Sequence, residues 1–322
     1  MRPRFVMEFE RPLVELENKL AELRLLDITD NAELAAEIEA LGREVERLHD
    51  ETYTHLTPWA RVQISRHPER PKTQDYVAEL FTDVIELHGD RRYGDDEAIL
   101  AAFGTLDGRR VAILGHRKGK NTKENVKRNF GSPQPEGFRK AMRVMRLADK
   151  FALPIVTFLD TPGAYPGIDA EERGQAWAIA ESLAELAGVR VPVVVVGIGE
   201  GGSGGALAIG FGDRHIMLEN AYYSVSSPEA CASILYKDAK QAETAAGCLK
   251  MTAADLVDLG IADEIVPEPL GGAHNDSEAV FAAVRERVAA ALDALVSNDP
   301  DALVERRYER LRTIGVYADV SG

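Results

Sequence analysis

The segment from residue 191 to residue 210, VPVVVVGIGEGGSGGALAIG, constrains the fold of this chain most strongly. An apolar run leads into a glycine-rich loop, and a helix of small residues follows. The loop has glycine at positions 197, 199, 201, 202, 204 and 205. A strand, a glycine loop and a helix start together place free backbone N–H groups beside the positive end of the helix dipole. The segment therefore predicts an α/β fold with a site for an anion or a developing oxyanion.

A dinucleotide-binding motif overlaps this loop. Gly199, Gly201 and Gly204 form GxGxxG, and Glu219 follows at about the distance expected of a ribose contact. That motif usually lies in the first β-α turn of its fold, whereas at least three predicted strands precede this one. The position disfavours a dinucleotide site. Glycines that only allow a helix to pack tightly are a further, structural interpretation.

A hydrolase motif overlaps the same loop. Gly201, Ser203 and Gly205 form GxSxG, the nucleophile elbow of α/β-hydrolases. Such an enzyme needs an acid and then a histidine later in the chain. His215 is too near the loop to follow an acid, and His274 lies in GGAHN, where no apolar strand ends. A serine hydrolase using Ser203 remains the alternative function, beside a non-catalytic scaffold that binds acyl-CoA.

A second loop has the same construction. A short apolar run at 154–159 enters DTPGAYPGI at 160–168, and a helix is predicted from about Ala170. Two Pro-Gly steps make a rigid turn at the carboxyl end of a strand, where α/β proteins place ligands. We expect stacked β-β-α turns to bring the two loops side by side.

The rest of the main domain is predicted to be α/β. Buried strands are predicted at 98–103, 111–115, 154–159, 192–198 and 213–218. Helices are predicted at about 75–87, 135–151, 170–187, 203–210, 228–236, 252–259, 276–297 and 300–312. The first of these helices would carry Val84 and Ile85 on its apolar side, and Asp107-Gly108 predicts a hairpin turn. Paired strands precede a helix more than once, which favours stacked β-β-α units over one doubly wound sheet.

Residues 1–55 are predicted to form two helices. Leucines recur at spacings of three and four over 13–23, and a similar apolar stripe covers 34–48. Such narrow stripes are typical of a helix–helix seam. Asp30 and Glu33 predict a capping box at the start of the second helix. A partner contact and a hairpin packed on its own domain explain the stripes equally well.

Prolines divide the chain near residue 72. Residues 56–74 hold Pro58 and the run RHPERP at 66–71, and two prolines so close prevent a regular helix. We therefore predict an N-terminal helical extension with a linker at 1–72 and the main domain at 73–322.

Composition excludes several classes of protein. The net charge of −15 makes general binding of nucleic acid unfavourable. The two cysteines form no CxxC pair, and the seven histidines show no metal-ligand spacing, so no metal site is expected. No apolar run approaches the ~20 residues that span a bilayer, and the N-terminus lacks the apolar stretch of a signal peptide. We expect a cytoplasmic protein.

A basic segment, HRKGKNTKENVKR at 116–128, stands out in this acidic chain. Its cations are Arg117, Lys118, Lys120, Lys123, Lys127 and Arg128, and Glu124 is its one carboxylate. Concentrated charge of this kind attracts phosphates, carboxylates or acidic partners, although a solvated loop has the same composition. Lys118 and Lys120 are the candidate binding residues.

Long motifs in this chain resemble one family, the alpha subunit of the bacterial acetyl-coenzyme A carboxylase carboxyltransferase. They are RHPERP (66–71), GHRKGKNTKENVKRNFG (115–131), FLDTPGAYPGI (158–168), AEERGQ (170–175), GEGGSGGALAIG (199–210), YSVSSPEACASILYKDA (223–239) and PLGGAH (269–274). The resemblance covers essentially the whole chain. It implies a crotonase-like spiral of β-β-α units, with an N-terminal helical extension and C-terminal helices.

The resemblance also implies the reaction and the site. A carboxyl group passes from carboxybiotin on a carrier protein to acetyl-CoA, giving malonyl-CoA for fatty acid synthesis. Backbone N–H groups would stabilise the oxyanions, and the alpha subunit would supply mainly the hole on the biotin side. The implied donors are Gly204, Gly205 and Ala206. The implied lining of the substrate and biotin site is Gly163, Ala164, Tyr165, Gly201, Gly202 and Ser203, with Lys118 and Lys120.

The same resemblance implies partners. The chain has no AMKM-type lysine motif for attaching biotin, no evident phosphate loop for ATP and no cysteines for a zinc ribbon. The implied partners are a zinc-ribbon beta subunit, a biotin carboxyl carrier protein and a biotin carboxylase. We expect an alpha2beta2 heterotetramer.

Overall fold

The computed structural model describes residues 5–25 and 31–315. Within these residues, eight strands form one mixed sheet. The strands are β1 (Thr82–Glu86), β2 (Ile99–Leu106), β3 (Arg109–His116), β4 (Ile155–Thr161), β5 (Val193–Gly202), β6 (Arg214–Leu218), β7 (Tyr222–Ser224) and β8 (Glu264–Val266). Their order is β1-β2-β3-β4-β5-β6-β8, and β7 pairs with β5. The first three strands are antiparallel, and the pairs from β3 onward are parallel.

The antiparallel β2–β3 hairpin confirms the predicted turn. Asp107 and Gly108 have φ angles of 48° and 82°, and Leu106 pairs with Arg109 across them. Positive φ at both central residues is what a two-residue hairpin turn of the favoured twist requires. The turn returns the chain so that β3 lies beside β4 in the parallel part of the sheet.

Strand β5 changes partner along its length, and this change positions the glycine loop. Its first half pairs with β6 from Val194 to Gly197, and its last three residues pair with β7 from Glu200 to Gly202. The register with β4 also shifts between Leu159 and Thr161. The glycines of β5 let strands cross closely here, because a Cβ at Gly201 would lie 2.8 Å from the Tyr222 carbonyl oxygen.

Helices cover both faces of the sheet. They are α1 (Arg11–Arg24), α2 (Ala32–Thr54), α3 (Pro58–Ser65), α4 (Thr73–Leu80), α5 (Thr122–Lys127), α6 (Pro135–Lys150), α7 (Ile168–Glu172), α8 (Gln175–Gly188), α9 (Ser203–Leu207), α10 (Pro228–Tyr236), α11 (Ala242–Cys248), α12 (Ala253–Asp258), α13 (Ser277–Val296) and α14 (Pro300–Thr313). One apolar core lies between the sheet, α4 and α13, and a second lies between the sheet, α6 and α8. Strands buried on both faces explain the continuous apolar runs of the sequence.

The helix predicted at 75–87 is wrong in its second half. Helix α4 ends at Leu80, and residues 82–86 form the edge strand β1. Val84 and Ile85 are 39% and 65% exposed, so the predicted apolar side does not exist. The five residues TDVIE fit both the helical and the strand periodicity, and their pairing with β2 makes them a strand.

Two other helices differ from their predicted bounds. The break at 56–74 contains α3, because the Thr57 hydroxyl accepts from the Ala60 N–H and Pro58 occupies the first helical position. The helix predicted at 170–187 is divided into α7 and α8 at Gly174, which has a φ of 83°.

The two N-terminal helices pack on each other. Leu13 and Leu20 of α1 are buried, whereas the apolar stripe of α2 is half-buried. Asp30 lies outside the described residues, and Asn31 caps α2 by accepting from the Leu34 N–H. Helix α4 begins one residue after the boundary predicted at 72, but the division into two domains stays a prediction, as does a partner contact.

Candidate functional site

The two glycine-bearing loops meet backbone to backbone, as the sequence predicted. Residues 161–165 follow β4, and residues 202–206 follow its parallel neighbour β5. A Cβ built at Gly205 would lie 2.3 Å from the Ala164 nitrogen, and one at Gly202 would lie 2.1 Å from the Pro162 carbonyl oxygen. Neither position has room for a side chain, so both glycines are needed for the contact.

The glycine loop presents unused backbone donors. No hydrogen bond from the N–H of Gly204 or Gly205 occurs in the described part of the chain. Gly204 is half-buried, while Gly205 and Ala206 are buried. Ser203 turns the chain with a φ of 53°, and Gly163 in the facing loop has a φ of 146°. The structure brings the predicted donors together, and their role as an oxyanion hole stays a prediction.

A largely apolar cleft of about 270 Å³ opens beside Gly204. Its walls come from the glycine loop, from β7 and from the region of α12. The lining residues are Ser203, Gly204, Leu207, Tyr223, Ser224, Val225, Leu256 and Ile261. Backbone donors beside apolar walls suit a ligand with one polar acceptor on an apolar ring.

His116, the last residue of β3, is hydrogen-bonded to the glycine loop. Its Nε2 lies 3.0 Å from the Gly205 carbonyl oxygen, and the residue is fully buried. Burial lowers the pKa of His116 to about 4. The ring is therefore neutral at pH 7, and the bond requires the tautomer in which Nε2–H donates to the carbonyl.

Lys118 joins the ends of the two strands that carry the loops. Its Nζ lies 2.7 Å from Asp160 Oδ1 on β4 and 2.6 Å from Glu200 Oε2 on β5. The backbone N–H of Glu200 also donates to Asp160 Oδ1 at 3.2 Å. Burial opposes the charged form of Lys118, but Asp160 and Glu200 outweigh it and raise the pKa of the lysine. Lys118 is a buried bridge and not the solvated cation that the basic segment indicated.

The second carboxylate oxygen of Glu200 has its own partners. Oε1 accepts from Arg66 Nε at 2.6 Å and from the Tyr222 hydroxyl at 2.8 Å, and Arg66 also pairs with Glu229 at 2.5 Å. Burial would raise the pKa of Glu200, but Lys118 and Arg66 lower it to about 2. A fixed charged network therefore lies directly beneath the glycine loop.

Comparison with known proteins shows the family to which this chain belongs. Residues 6–315 match the family model described as acetyl co-enzyme A carboxylase carboxyltransferase-like. The chain belongs to this family. A relative from Thermus thermophilus, named acetyl-coenzyme A carboxylase carboxyl transferase subunit alpha, is 53% identical over 97% of this chain and 99% of its own length. A relative of the same name from Geobacillus thermodenitrificans is 53% identical over 96% of this chain and 95% of its own.

Solved structures show the same fold. A transcarboxylase 12S core has a TM-score of 0.57 at 19% identity, with 78% of this chain and 44% of that chain covered. A Pseudomonas malonate decarboxylase hetero-tetramer in complex with coenzyme A has a TM-score of 0.56 at 20% identity, with 69% and 89% covered. The predicted crotonase-like α/β fold is confirmed.

The family's basic segment is largely neutralised by ion pairs. Arg117 pairs with Glu86 at 2.5 Å, Lys127 with Glu97 at 2.5 Å and Arg128 with Glu124 at 2.9 Å, and Lys120 contacts Asp75. Lys120 remains exposed at the surface. Of the two predicted binding lysines, Lys120 alone is placed to meet an external anion.

The Ser203 hydrolase is not supported by the family or by the geometry. Within the described ranges, no hydrogen bond joins the Ser203 hydroxyl to a histidine or a carboxylate. His215 is buried beside Tyr223, and His274 stacks on His67 with ring centroids 3.8 Å apart. His116, which does reach the loop, is bound to the Gly205 carbonyl oxygen, so none of these three histidines is placed as the base of a catalytic triad.

Tyr165 and Glu219, two further residues singled out from the sequence, make hydrogen bonds within the fold. Tyr165 is half-buried, and its backbone N–H donates to Pro133 while its carbonyl accepts from Gln175. Glu219, the proposed ribose contact, instead accepts from Arg61 and from the Glu268 N–H. In the described residues, no group of three or more His, Cys, Asp or Glu is arranged to hold a metal ion.

Sequence reasoning missed the network beneath the loop. Asp160 and Glu200 each stand just before a glycine-bearing loop, at the ends of neighbouring strands. That position was a usable signal, because carboxyl ends of parallel strands share one edge. Arg66 gave no local signal, since it reaches Glu200 across 134 residues of sequence.

Proposed function

We propose that the chain acts as the alpha subunit of acetyl-CoA carboxylase carboxyltransferase. It takes part in moving a carboxyl group from biotin on a separate carrier protein to acetyl-CoA, and the product is malonyl-CoA. The near-full-length relatives of 50–53% identity that carry the alpha-subunit name support this activity. Malonyl-CoA formation is the committed step of fatty acid synthesis.

The backbone contact between the two loops is the observation that carries the proposed mechanism. It fixes the start of α9, where Gly204 lines an apolar cleft and Gly205 follows it. Fixed donors in a site that excludes water stabilise an oxyanion strongly, because they need no reorganisation when charge develops. The loops therefore supply electrostatic stabilisation, and no side-chain nucleophile is required.

The donor set fits the ureido group of biotin. When bound, biotin brings the carboxyl group that is transferred, and its ureido oxygen is a hydrogen-bond acceptor on a compact bicyclic ring system whose sulfur-containing ring is apolar. In this proposal Gly204 and Gly205 donate to that oxygen, and Ala206 continues the loop behind them. Leu207 and Val225 line the cleft beside it. Gly163 and Ala164 form the opposite wall.

The reaction is proposed to need partner subunits. A zinc-ribbon beta subunit would complete the site for acetyl-CoA, and a biotin carboxyl carrier protein and a biotin carboxylase would supply the loaded biotin. The large exposed side chains of Ile168, Trp177 and Val225 support an interface near the loops, since they are 70–80% exposed. We propose an alpha2beta2 assembly in the cytoplasm. Among the described residues, no helix is long and apolar enough to cross a membrane.

A pair of glycine variants tests the mechanism. In the reconstituted enzyme, Gly205→Ala should lower malonyl-CoA formation by about 10²-fold or more, because its methyl group displaces the facing loop. Gly247→Ala is the matched control, since nothing lies within 4 Å of a Cβ at this exposed position. Equal activity of the two variants would refute the role of the joined loops.

A further inference from the structure

A basic groove lies along helix α6. One wall is the turn after β1, and the other is a stripe of side chains along the helix. The groove encloses about 340 Å³ and is lined by Asp90, Arg91, Arg92, Arg139, Met142, Arg143, Arg146, Leu147 and Lys150. We call it the arginine groove. Six cationic side chains and one carboxylate line it, in a chain whose net charge is −15.

The turn that forms the first wall is held rigidly. Asp90 Oδ1 accepts the backbone N–H groups of Arg92, Tyr93 and Gly94 at 2.8–3.0 Å. Its Oδ2 accepts from Arg139 Nε at 2.8 Å. The one carboxylate of the groove is therefore fully engaged in shaping the turn and in its contact with Arg139.

Two arginines converge on a single neutral acceptor. Arg91 Nη1 and Arg143 Nη2 both donate to the His88 carbonyl oxygen, at 3.0 and 3.1 Å. The Nε of Arg143 is buried, and it has no hydrogen-bond partner in the described chain. Burial and repulsion by Arg91 lower the pKa of Arg143. Two guanidinium groups held this close are relieved by an anion between them.

The carboxylates around the groove pair with some of its cations but not with others. Asp95 contacts Lys140 at 2.7 Å and His88 at 3.0 Å, and Glu185 contacts Arg146 at 2.7 Å. Glu181 is 3.9 Å from Arg92. Within the described residues, no carboxylate is at ion-pair distance from Arg91, Arg143 or Lys150.

We propose that the arginine groove binds a small ligand that carries a diphosphate group. Guanidinium groups match phosphate oxygens with paired N–H donors, and several of them around one hollow favour more than one phosphate. The volume is that of a small-molecule site, and Met142 and Leu147 give it an apolar floor. A concave, preformed hollow favours a small ligand over an acidic protein segment. The groove shares no lining residue with the cleft beside Gly204.

Binding of inorganic pyrophosphate to the full chain tests the site. We expect saturable binding by calorimetry at low salt, with a similar affinity for ADP and a weaker one for AMP. The double variant Arg91→Gln/Arg143→Gln should weaken binding at least tenfold. Arg43→Gln, an exposed arginine on α2, should leave it unchanged. Arg91→Gln alone, in an exposed turn, should weaken binding several-fold and guards against misfolding of the double variant.

Three outcomes would overturn the proposal. The first is an absence of pyrophosphate and ADP binding at millimolar concentration. The second is equal affinity in the wild-type chain and the Arg91→Gln variant. The third is binding of a poly-glutamate peptide without binding of pyrophosphate, which would assign the groove to an acidic protein partner.

Discussion

Lys118 shows how a buried charge can order the backbone groups to which we assign the chemistry. It bridges Asp160 and Glu200, the residues that precede the two loops, and so fixes the distance between the strand ends. A buried charge that loses its partner is costly, typically by about 3–5 kcal/mol. The lysine is therefore better understood as a positioning residue than as an anion-binding one.

Lys118→Met should lower kcat much more than it raises KM for acetyl-CoA, and the defect should not vary with salt. The physical reason is that the variant loosens the loops and leaves Asp160 and Glu200 buried without their shared cation. Lys120→Met is the control, because Lys120 is exposed and its charge is screened by salt. Steady-state kinetics at two salt concentrations measures both. A salt-dependent rise in KM in Lys118→Met would contradict this prediction and indicate that Lys118 binds an anion.

Ser203→Ala should keep most of the carboxyltransfer activity. Among the described residues, no histidine or carboxylate is hydrogen-bonded to the hydroxyl. Alanine tolerates the φ of 53° about as poorly as serine, so the backbone should be unchanged. Turnover of the reconstituted variant is the measurement. A loss on the order of 10⁴-fold, as in a serine triad, would revive the hydrolase.

His116 should make stability depend on pH. Its pKa is about 4 in the fold and about 6.5 in the unfolded chain, so the unfolded state binds more protons between these values. Stability is therefore complete above about pH 6.5 and falls as the pH falls toward 4, by about 2 kcal/mol at pH 5. Urea unfolding of the wild type and of His116→Gln at pH 7 and 5 checks this. An equal loss in both proteins would show that His116 contributes nothing.

At the scale of elements, the contact between loops 161–165 and 202–206 explains why two neighbouring glycines differ. A Cβ at Gly205 would collide with the backbone of Ala164, whereas one at Gly204 would lie 3.6 Å from Ile179, an ordinary contact. A side chain at Gly205 would therefore enter the facing loop.

Gly205→Ala should therefore be destabilised by about 1–3 kcal/mol, the usual range for overpacking. Gly204→Ala should unfold within about 1 kcal/mol of the wild type, because its site has room and alanine favours the helix. Thermal unfolding of the two variants and the wild type compares them directly. The reverse order of stability would show that the loops separate easily.

The elements also show where sequence reasoning succeeds. The strands at the centre of the sheet were predicted because burial on both faces gives continuous apolar runs, and α10 was predicted over its full length from its Ser-Pro start. The edge strand β1 was taken for a helix because five residues cannot distinguish the two periods. The glycine loops were predicted from the local sequence pattern. The Lys118 bridge joins segments that are distant in the sequence, and a local pattern carries no information about such contacts.

At the scale of the whole molecule, the proposed backbone donors all come from one loop, residues 202–206, in a fold shared with longer chains. This protein covers only 44% of the transcarboxylase chain that has the same fold. Two oxyanions develop in the proposed reaction, on the biotin ureido group and on the thioester. One loop accounts for the first, so the second is expected on a beta subunit.

The most direct measurement is malonyl-CoA formation by the purified chain, by a zinc-ribbon beta subunit and by their mixture, with activity followed across the sedimentation peak. Each sample receives the same carboxylated biotin donor and acetyl-CoA. The account predicts activity only in the mixture, in a peak of the mass of two alpha and two beta chains. Malonyl-CoA formation by the chain alone, at the rate of the mixture, would contradict it.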